Sequence, residues 1–252
     1  MVPRKASKGQ IKYLQSLKLK KNRLKYASFV AEGSKVVQDL ICDKNLNVRA
    51  LYAIDSFFSL GTEAHRMDNV ERFVVSSKEL NQISSLRTPH QVVAECSIPS
   101  PSIQRDVPTV LFLERVGDPG NLGTIVRACD WFGISQIVLS PDCADLFNPK
   151  TVQAAKGSLG RIPYYVLTAA ELGAQLTSHQ WYLAAMDGAS VHELSVSAPY
   201  ILAVGNESHG LSESTLSMTG ATKVSLPKRG TSSIDSLNVA MASTALMAIF
   251  CR

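Results

Sequence analysis

Three short segments set polar side chains beside glycine or proline, each directly after an apolar run: VGDPGNLGTIVRACDWFG (116–133), AVGNESHGLSES (203–214) and SLPKRGTSSIDSLNV (225–239). In the first, Asn121 stands near the start of an expected helix, where its side chain could cap. Arg127 lies inside that helix, and its ordinary reading is a surface cation paired with Asp130 at i+3. The glycines at 117, 120, 123 and 133 form neither G-x-G-x-x-G nor a Walker loop, so no dinucleotide or nucleoside triphosphate is inferred. In the second segment, glycines permit close approach of a ligand to the backbone. Glu207 suits either a ligand or the positive end of the helix that follows. His209 reads as structural, because no G-x-S-x-G nucleophile accompanies it. In the third, Pro227 and Gly230 turn the chain, and Ser236 and Asn238 stand at or near the start of the last helix. Polar side chains and unpaired N–H groups meet there, although simple capping explains them equally well. Each loop is weak alone; the combination is not.

Positioning three such loops requires a scaffold. The runs 109–116, 136–140, 181–186, 200–205 and 223–226 are short and continuously apolar, as strands covered on both faces are. Helical patterns lie between and after them, at 121–132, 149–157, 169–177, 211–218 and 236–250. This alternation predicts an open α/β fold, whose ligands gather at the carboxyl ends of the strands. The first hundred residues alternate helical stretches (32–41, 77–86) with strands (48–54, 72–76, 91–97). The polar, proline-rich IPSPSIQRDVP (98–108) reads as a linker. The chain of 252 residues is therefore divided into 1–104 and 105–252.

Charge is unevenly placed. Residues 1–25 hold nine Lys/Arg and no acid, whereas the whole chain has 26 basic and 21 acidic residues. A basic arm on a near-neutral body suits a polyanion, RNA or DNA ahead of a membrane, or else a solvated face. Ile11, Leu14, Leu17 and Leu19 recur near helical spacing in it, so the arm is expected to be an amphipathic helix. The C-terminal uncharged run is too short to span a bilayer and no signal peptide is apparent, which predicts a cytoplasmic protein. The five cysteines contain no C-x-x-C pair, so no metal site is expected and most are read as core fillers.

DPGNLGTIVRACDWFG, VGNESHGLS and SLNVAMAS occur in the order and rough spacing of the three motifs of the SpoU (TrmH-like) RNA ribose 2′-O-methyltransferases of the SPOUT superfamily, which the chain resembles. Residues 16–41 and 88–95 resemble the substrate-binding domain that precedes the catalytic domain in ribosomal RNA members. The resemblance implies an L30e-like α/β domain followed by a mostly parallel sheet with a C-terminal trefoil knot. It implies S-adenosylmethionine as cofactor, surrounded by Gly205, Asn206, Glu207, Leu226, Pro227, Ser236, Leu237 and Asn238, and a homodimer with the site near its interface.

The implied reaction is in-line methyl transfer to a ribose 2′-oxygen, without a metal. A neutral hydroxyl is a poor nucleophile, so developing charge must be stabilised or the proton removed. The resemblance makes Arg127 catalytic with Asn121, while Glu207, Ser236 and Asn238 orient ribose and cofactor. Because arginine stays protonated, Arg127 is assigned to hold the target phosphate and stabilise the oxyanion, with phosphate-assisted deprotonation as the alternative. Lys18, Lys20, Lys21, Arg23 and Lys25 are assigned to RNA phosphates. The substrate-domain resemblance favours 23S ribosomal RNA. A transfer RNA ribose, a base nitrogen, or a non-catalytic RNA-binding role are the alternatives. One departure is that Lys228 stands where the family commonly has Met, and the turn from Gly230 to Ser236 is longer than usual.

Overall fold

The computed structural model describes residues 2–43, 45–59, 70–100, 103–228, 230 and 236–251. In chain order the first elements are β1 (Arg4–Lys5), α1 (Lys8–Ser16), α2 (Lys20–Tyr26), β2 (Ser28–Glu32), α3 (Ser34–Cys42), β3 (Val48–Ala53), α4 (Asp55–Ser59), β4 (Glu71–Val74), α5 (Ser77–Ile83) and β5 (Val92–Ser97). Then follow β6 (Thr109–Leu113), α6 (Pro119–Phe132), β7 (Gln136–Leu139), α7 (Pro149–Ala155) with a 3₁₀ turn (Lys156–Gly160), β8 (Tyr164–Val166), α8 (Ala169–Gln175), β9 (Gln180–Ser190), β10 (Tyr200–Val204), α9 (Glu213–Leu216), β11 (Thr222–Ser225) and α10 (Val239–Phe250).

The chain forms two compact units, Met1–Ser100 with Asp145–Arg161, and Pro101–Ala144 with Ile162–Arg252. The sequence placed one boundary near 105; packing gives residues 145–161 to the first unit. There the sheet order is β1-β4-β3-β5-β2, with β5 antiparallel to β2 and β3. Leu14, Tyr52, Phe73, Leu80, Ile83 and Val93 share its core. Residues 145–161 join by close approach. A Cβ on Gly157 would lie 2.3 Å from Asp39 Cβ, and one on Gly160 2.3 Å from Asp43 Oδ2, so α3 and the residue that ends it both meet bare backbone. Phe147 packs on Phe29 with ring centroids 4.8 Å apart.

The basic arm folds as the helices α1 and α2 rather than one helix. Ser7 and Gln10 form a capping box at the start of α1, and Ile11, Leu14 and Leu17 are buried as their spacing predicts. Leu19 instead is exposed and precedes α2. Arg23, expected at RNA, is buried with only 3% exposure. Its Nε donates to Asp145 Oδ2 at 3.0 Å, and its Nη1 donates to the carbonyls of Leu17 and Lys18 at 2.8 Å each. The phase of α2 turns it inward, so it satisfies the end of α1 instead of solvent-borne phosphate.

In the second unit the sheet order is β11-β9-β10-β6-β7-β8, and every pairing is parallel. Both faces of β6, β7 and β10 are buried, which explains their unbroken apolar sequences. Val110, Phe112, Val138, Leu183, Ile201 and Ala203 form one core layer with Leu172 of α8 and Leu176 just beyond its end. Against α6 packs α10, running in the same direction: Asn121 meets Asn238 near their starts and Cys129 Sγ lies 3.6 Å from Met247 Sδ further along. Strand β6 stops at Leu113, short of the expected 116, because Arg115 adopts a left-handed backbone with φ 57°. The expected cysteine cores hold for Cys96, Cys129 and Cys143, whose thiols burial pushes up, whereas Cys42 is exposed.

Removing one member of a buried, hydrogen-bonded ion pair costs about 3–5 kcal/mol. Arg23→Ala is therefore expected to lower unfolding stability by roughly 3 kcal/mol in urea titration, while Lys21→Ala stays within about 0.5 kcal/mol. Equal effects would show that Arg23 is a surface cation.

Candidate active site

Each of the three loops leaves the carboxyl end of a parallel strand. Asp118, not Asn121, caps α6: its Oδ1 accepts the Asn121 N–H at 2.7 Å, with Pro119 in the first helical turn. This leaves the Asn121 side chain free to reach across. Its Nδ2 donates to Glu207 Oε1 at 2.7 Å, and its Oδ1 accepts from Asn238 Nδ2 at 3.1 Å. One residue from each loop therefore forms a continuous chain, Glu207–Asn121–Asn238. Asn238 also caps α10, accepting the N–H groups of Ala240 and Met241 at 3.0 and 3.3 Å.

Beside this chain lies a cavity of about 750 Å³. Gly205, Asn206, Glu207, Leu226, Pro227, Ser236 and Leu237, all expected around a cofactor, line it; Asn238 does not. Its other wall is Ala184–Asp187 of β9, which sequence reasoning missed because the run reads simply as a buried strand. The hydrogen bond from Lys223 holds the Asp187 carboxyl below the usual carboxylate range.

The second loop owes its shape to two residues. A Cβ on Gly205 would come within 2.1 Å of Gly210 C and 2.2 Å of Leu211 N, so only glycine lets the strand end pass that backbone. Asn206 N–H and C=O pair with Gly210 at 3.0 and 2.9 Å. Its side chain donates to the Arg115 carbonyl at 2.9 Å and accepts the Ser208 N–H at 2.8 Å. Asn206 thus lines the cavity while its side chain builds the turn. His209 joins the same turn, its backbone N–H reaching Asn206 Oδ1 at 3.3 Å, and it also lines the cavity. Glu114, buried at the end of β6, accepts from Ser212 N at 2.6 Å, Ser212 Oγ at 2.7 Å and Thr215 Oγ1 at 2.9 Å, and so ties the loop to the central strand. A lone acid closing the apolar run TVLFLE was the only sequence signal for it.

Arg127 is not brought to the cavity within one chain. Leu122, Ile125, Val126 and Cys129 take the buried face of α6, which leaves Arg127 exposed on the face of Thr124 and Trp131. Of the arm cations, Lys18 Nζ is bound to the carbonyls of Gln82 and Ser84 at 3.1 and 2.6 Å, Lys25 lies over the Tyr26 ring at 5.2 Å, and Lys20 and Lys21 are exposed. Residues 229 and 231–235 of the longer third turn lie outside the described residues.

The described residues hold no cluster able to bind a metal, and no helix among them is long and apolar enough to cross a membrane. Residues 8–94 match the MRM3-like substrate binding domain. The chain is 28% identical over 245 residues, 96% of each chain, to the 23S rRNA (guanosine(2553)-2′-O)-methyltransferase RlmP of Bacillus subtilis. It resembles the structure of an RNA methyltransferase of the TrmH family from Porphyromonas gingivalis at 30% identity and TM-score 0.82, covering 97% of this chain and 98% of that one. It resembles the AdoMet-bound rRNA methyltransferase from Sinorhizobium meliloti at 28% identity and TM-score 0.81, covering 98% and 95%. Residues 108–248, more than half the chain, match the SpoU rRNA Methylase family, and the chain belongs to that family.

Proposed function

We propose that this chain methylates a ribose 2′-hydroxyl of ribosomal RNA, with 23S rRNA the favoured substrate and S-adenosylmethionine the donor. The observation that carries this reading is the Glu207–Asn121–Asn238 chain at the edge of the cavity. The cavity falls within the range of small-molecule sites, roughly 300–1,000 Å³. Its walls are mostly apolar side chains and turn backbone, suited to an adenine and a thioether-like chain. When bound, S-adenosylmethionine supplies an electrophilic methyl group on a sulfonium.

The protein's part is orientation and charge. Glu207 and Asn238 lock the Asn121 carboxamide between an acceptor and a donor, which fixes both turns that border the cavity. Ser236 and Leu237 form the third wall. Arg127, permanently charged, holds the target phosphate and stabilises negative charge growing on the 2′-oxygen. In the first unit, Lys20, Lys21 and Lys25 are assigned to RNA phosphates.

A homodimer completes the arrangement. Trp131 is 85% exposed and Met241 64% exposed, on the two helices that pack together. These two exposed apolar side chains are the reason for assigning the dimer interface to this helix pair. Arg127 is four residues before Trp131 on the same helix face, so pairing through this face sets Arg127 at the seam between chains. We also assign the C-terminal segment to a trefoil knot and the enzyme to the cytoplasm, where ribosomal RNA is within its reach.

Labelled S-adenosylmethionine offered with separate unmodified rRNA and tRNA pools tests the activity. Label should enter rRNA and protect the adjoining phosphodiester from alkali; label on a base, or only in tRNA, refutes the substrate assignment. Arg127→Ala is expected to slow transfer by about 10²–10³-fold while cofactor affinity changes less than about twofold. Parallel loss of both would remove Arg127 from the reaction. Trp131→Glu is expected to convert the dimer to monomer in sedimentation velocity; an unchanged dimer would place the interface elsewhere.

A further inference from the structure

Arg115 is a bulky residue in a conformation that favours glycine, at the carboxyl end of the central strand β6. Its φ of 57° is not an accident of a loose loop. The Arg115 N–H donates to Ser140 Oγ at 2.9 Å, beyond the end of β7, and its carbonyl accepts from Asn206 Nδ2 at 2.9 Å. The backbone is clamped from both sides, the circumstance in which unfavourable dihedrals persist and in which they collect at functional sites. Glycine would satisfy both clamps with less strain, because neither bond involves the side chain.

The side chain must therefore account for the arginine, and its contacts inside the protein are slight. Nη2 reaches the Gly210 carbonyl at 3.4 Å, beyond the usual range for a good N–H···O bond. Nε is buried without a partner among the described residues. Gly210 lines the cavity, whereas Arg115 does not, so the guanidinium sits at the rim rather than inside. A guanidinium has five donors in a planar fork suited to an oxyanion. Two sources of oxyanion could meet it, a phosphate of the RNA or the carboxylate of the cofactor. Its place outside the cavity lining favours the former.

Resting on the methyltransferase reading above, we infer that Arg115 is a substrate-holding residue that binds a phosphate of the RNA strand where it passes the rim at Gly210, a second guanidinium besides Arg127. The two backbone clamps fix the point at which the side chain leaves β6, and Nη2 lies beside Gly210 before RNA arrives.

The test compares wild type with Arg115→Gly, Arg115→Asn and Arg115→Lys, measuring RNA affinity against salt, S-adenosylmethionine affinity and melting temperature. Asparagine tolerates the left-handed region best among the other types, so it serves if the glycine variant fails to fold. The Gly and Asn variants should bind RNA about tenfold more weakly at low salt and lose about one unit of salt slope. Their cofactor affinity should stay within about twofold of wild type, and their melting temperature should hold or rise. The Lys variant should keep the salt slope. Unchanged RNA affinity with a lower melting temperature would reduce Arg115 to a latch on Gly210, and weakened cofactor binding would give it to the carboxylate; either overturns the inference. Failure of the wild type to bind RNA or cofactor would refute the methyltransferase reading itself and is seen separately.

Discussion

The site depends on one carboxamide. Asn121 donates to Glu207 and accepts from Asn238, and a primary amide does both from adjacent atoms of one rigid plane. A carboxylate at 121 would face Glu207 as a like charge; an aliphatic residue would leave a partly buried acid and an amide unanswered. Three loops separated by long stretches of chain are therefore held at one point by two hydrogen bonds. The amide is available only because Asp118 caps α6 in its place. The local capping chemistry and the long-range assembly of the site are coupled through this choice of cap.

The parallel sheet makes that convergence possible. Strands β6 and β10 are neighbours, so the loops that follow them emerge side by side at the same edge. Glu114 then fastens the second loop to the first strand through Ser212 and Thr215, and Gly205 lets that strand end slide past Leu211 at a distance no side chain would allow. The third loop arrives with α10, whose packing along α6 sets Asn238 opposite Asn121. Core packing thus acts on the site by fixing the register between two helices.

Much of this was legible beforehand. Buried parallel strands announce themselves as unbroken apolar runs, and β6, β7, β9 and β10 stand where those runs are. The cavity-lining residues from Gly205 to Leu237 were expected together, on the motif resemblance. Other features were not readable, for distinct reasons. Strand β2 carries the polar ends Ser28 and Glu32, both buried by partners distant in sequence, so its pattern was muted. The three-residue β8 is too short to show a period. Asn121 alone was read as a cap; the proline that follows Asp118, favoured in the first helical turn, was the signal that pointed to Asp118 instead. Arg23 was counted as a free cation, since charge alone does not reveal helix phase when the helix has seven residues. Nothing in PKTVQAAKGSLG told which core would receive it.

That last segment has a consequence for how the protein can be taken apart. The first unit is built from two separate stretches of chain, and the second stretch brings Asp145 to Arg23 and Phe147 to Phe29. A fragment ending near residue 104 would keep a buried guanidinium and lose its carboxylate. The two units are consequently not exchangeable as cassettes by a single splice. A chimera that swaps recognition while keeping catalysis must exchange residues 145–161 along with the N-terminal hundred, or it inherits an unfinished core.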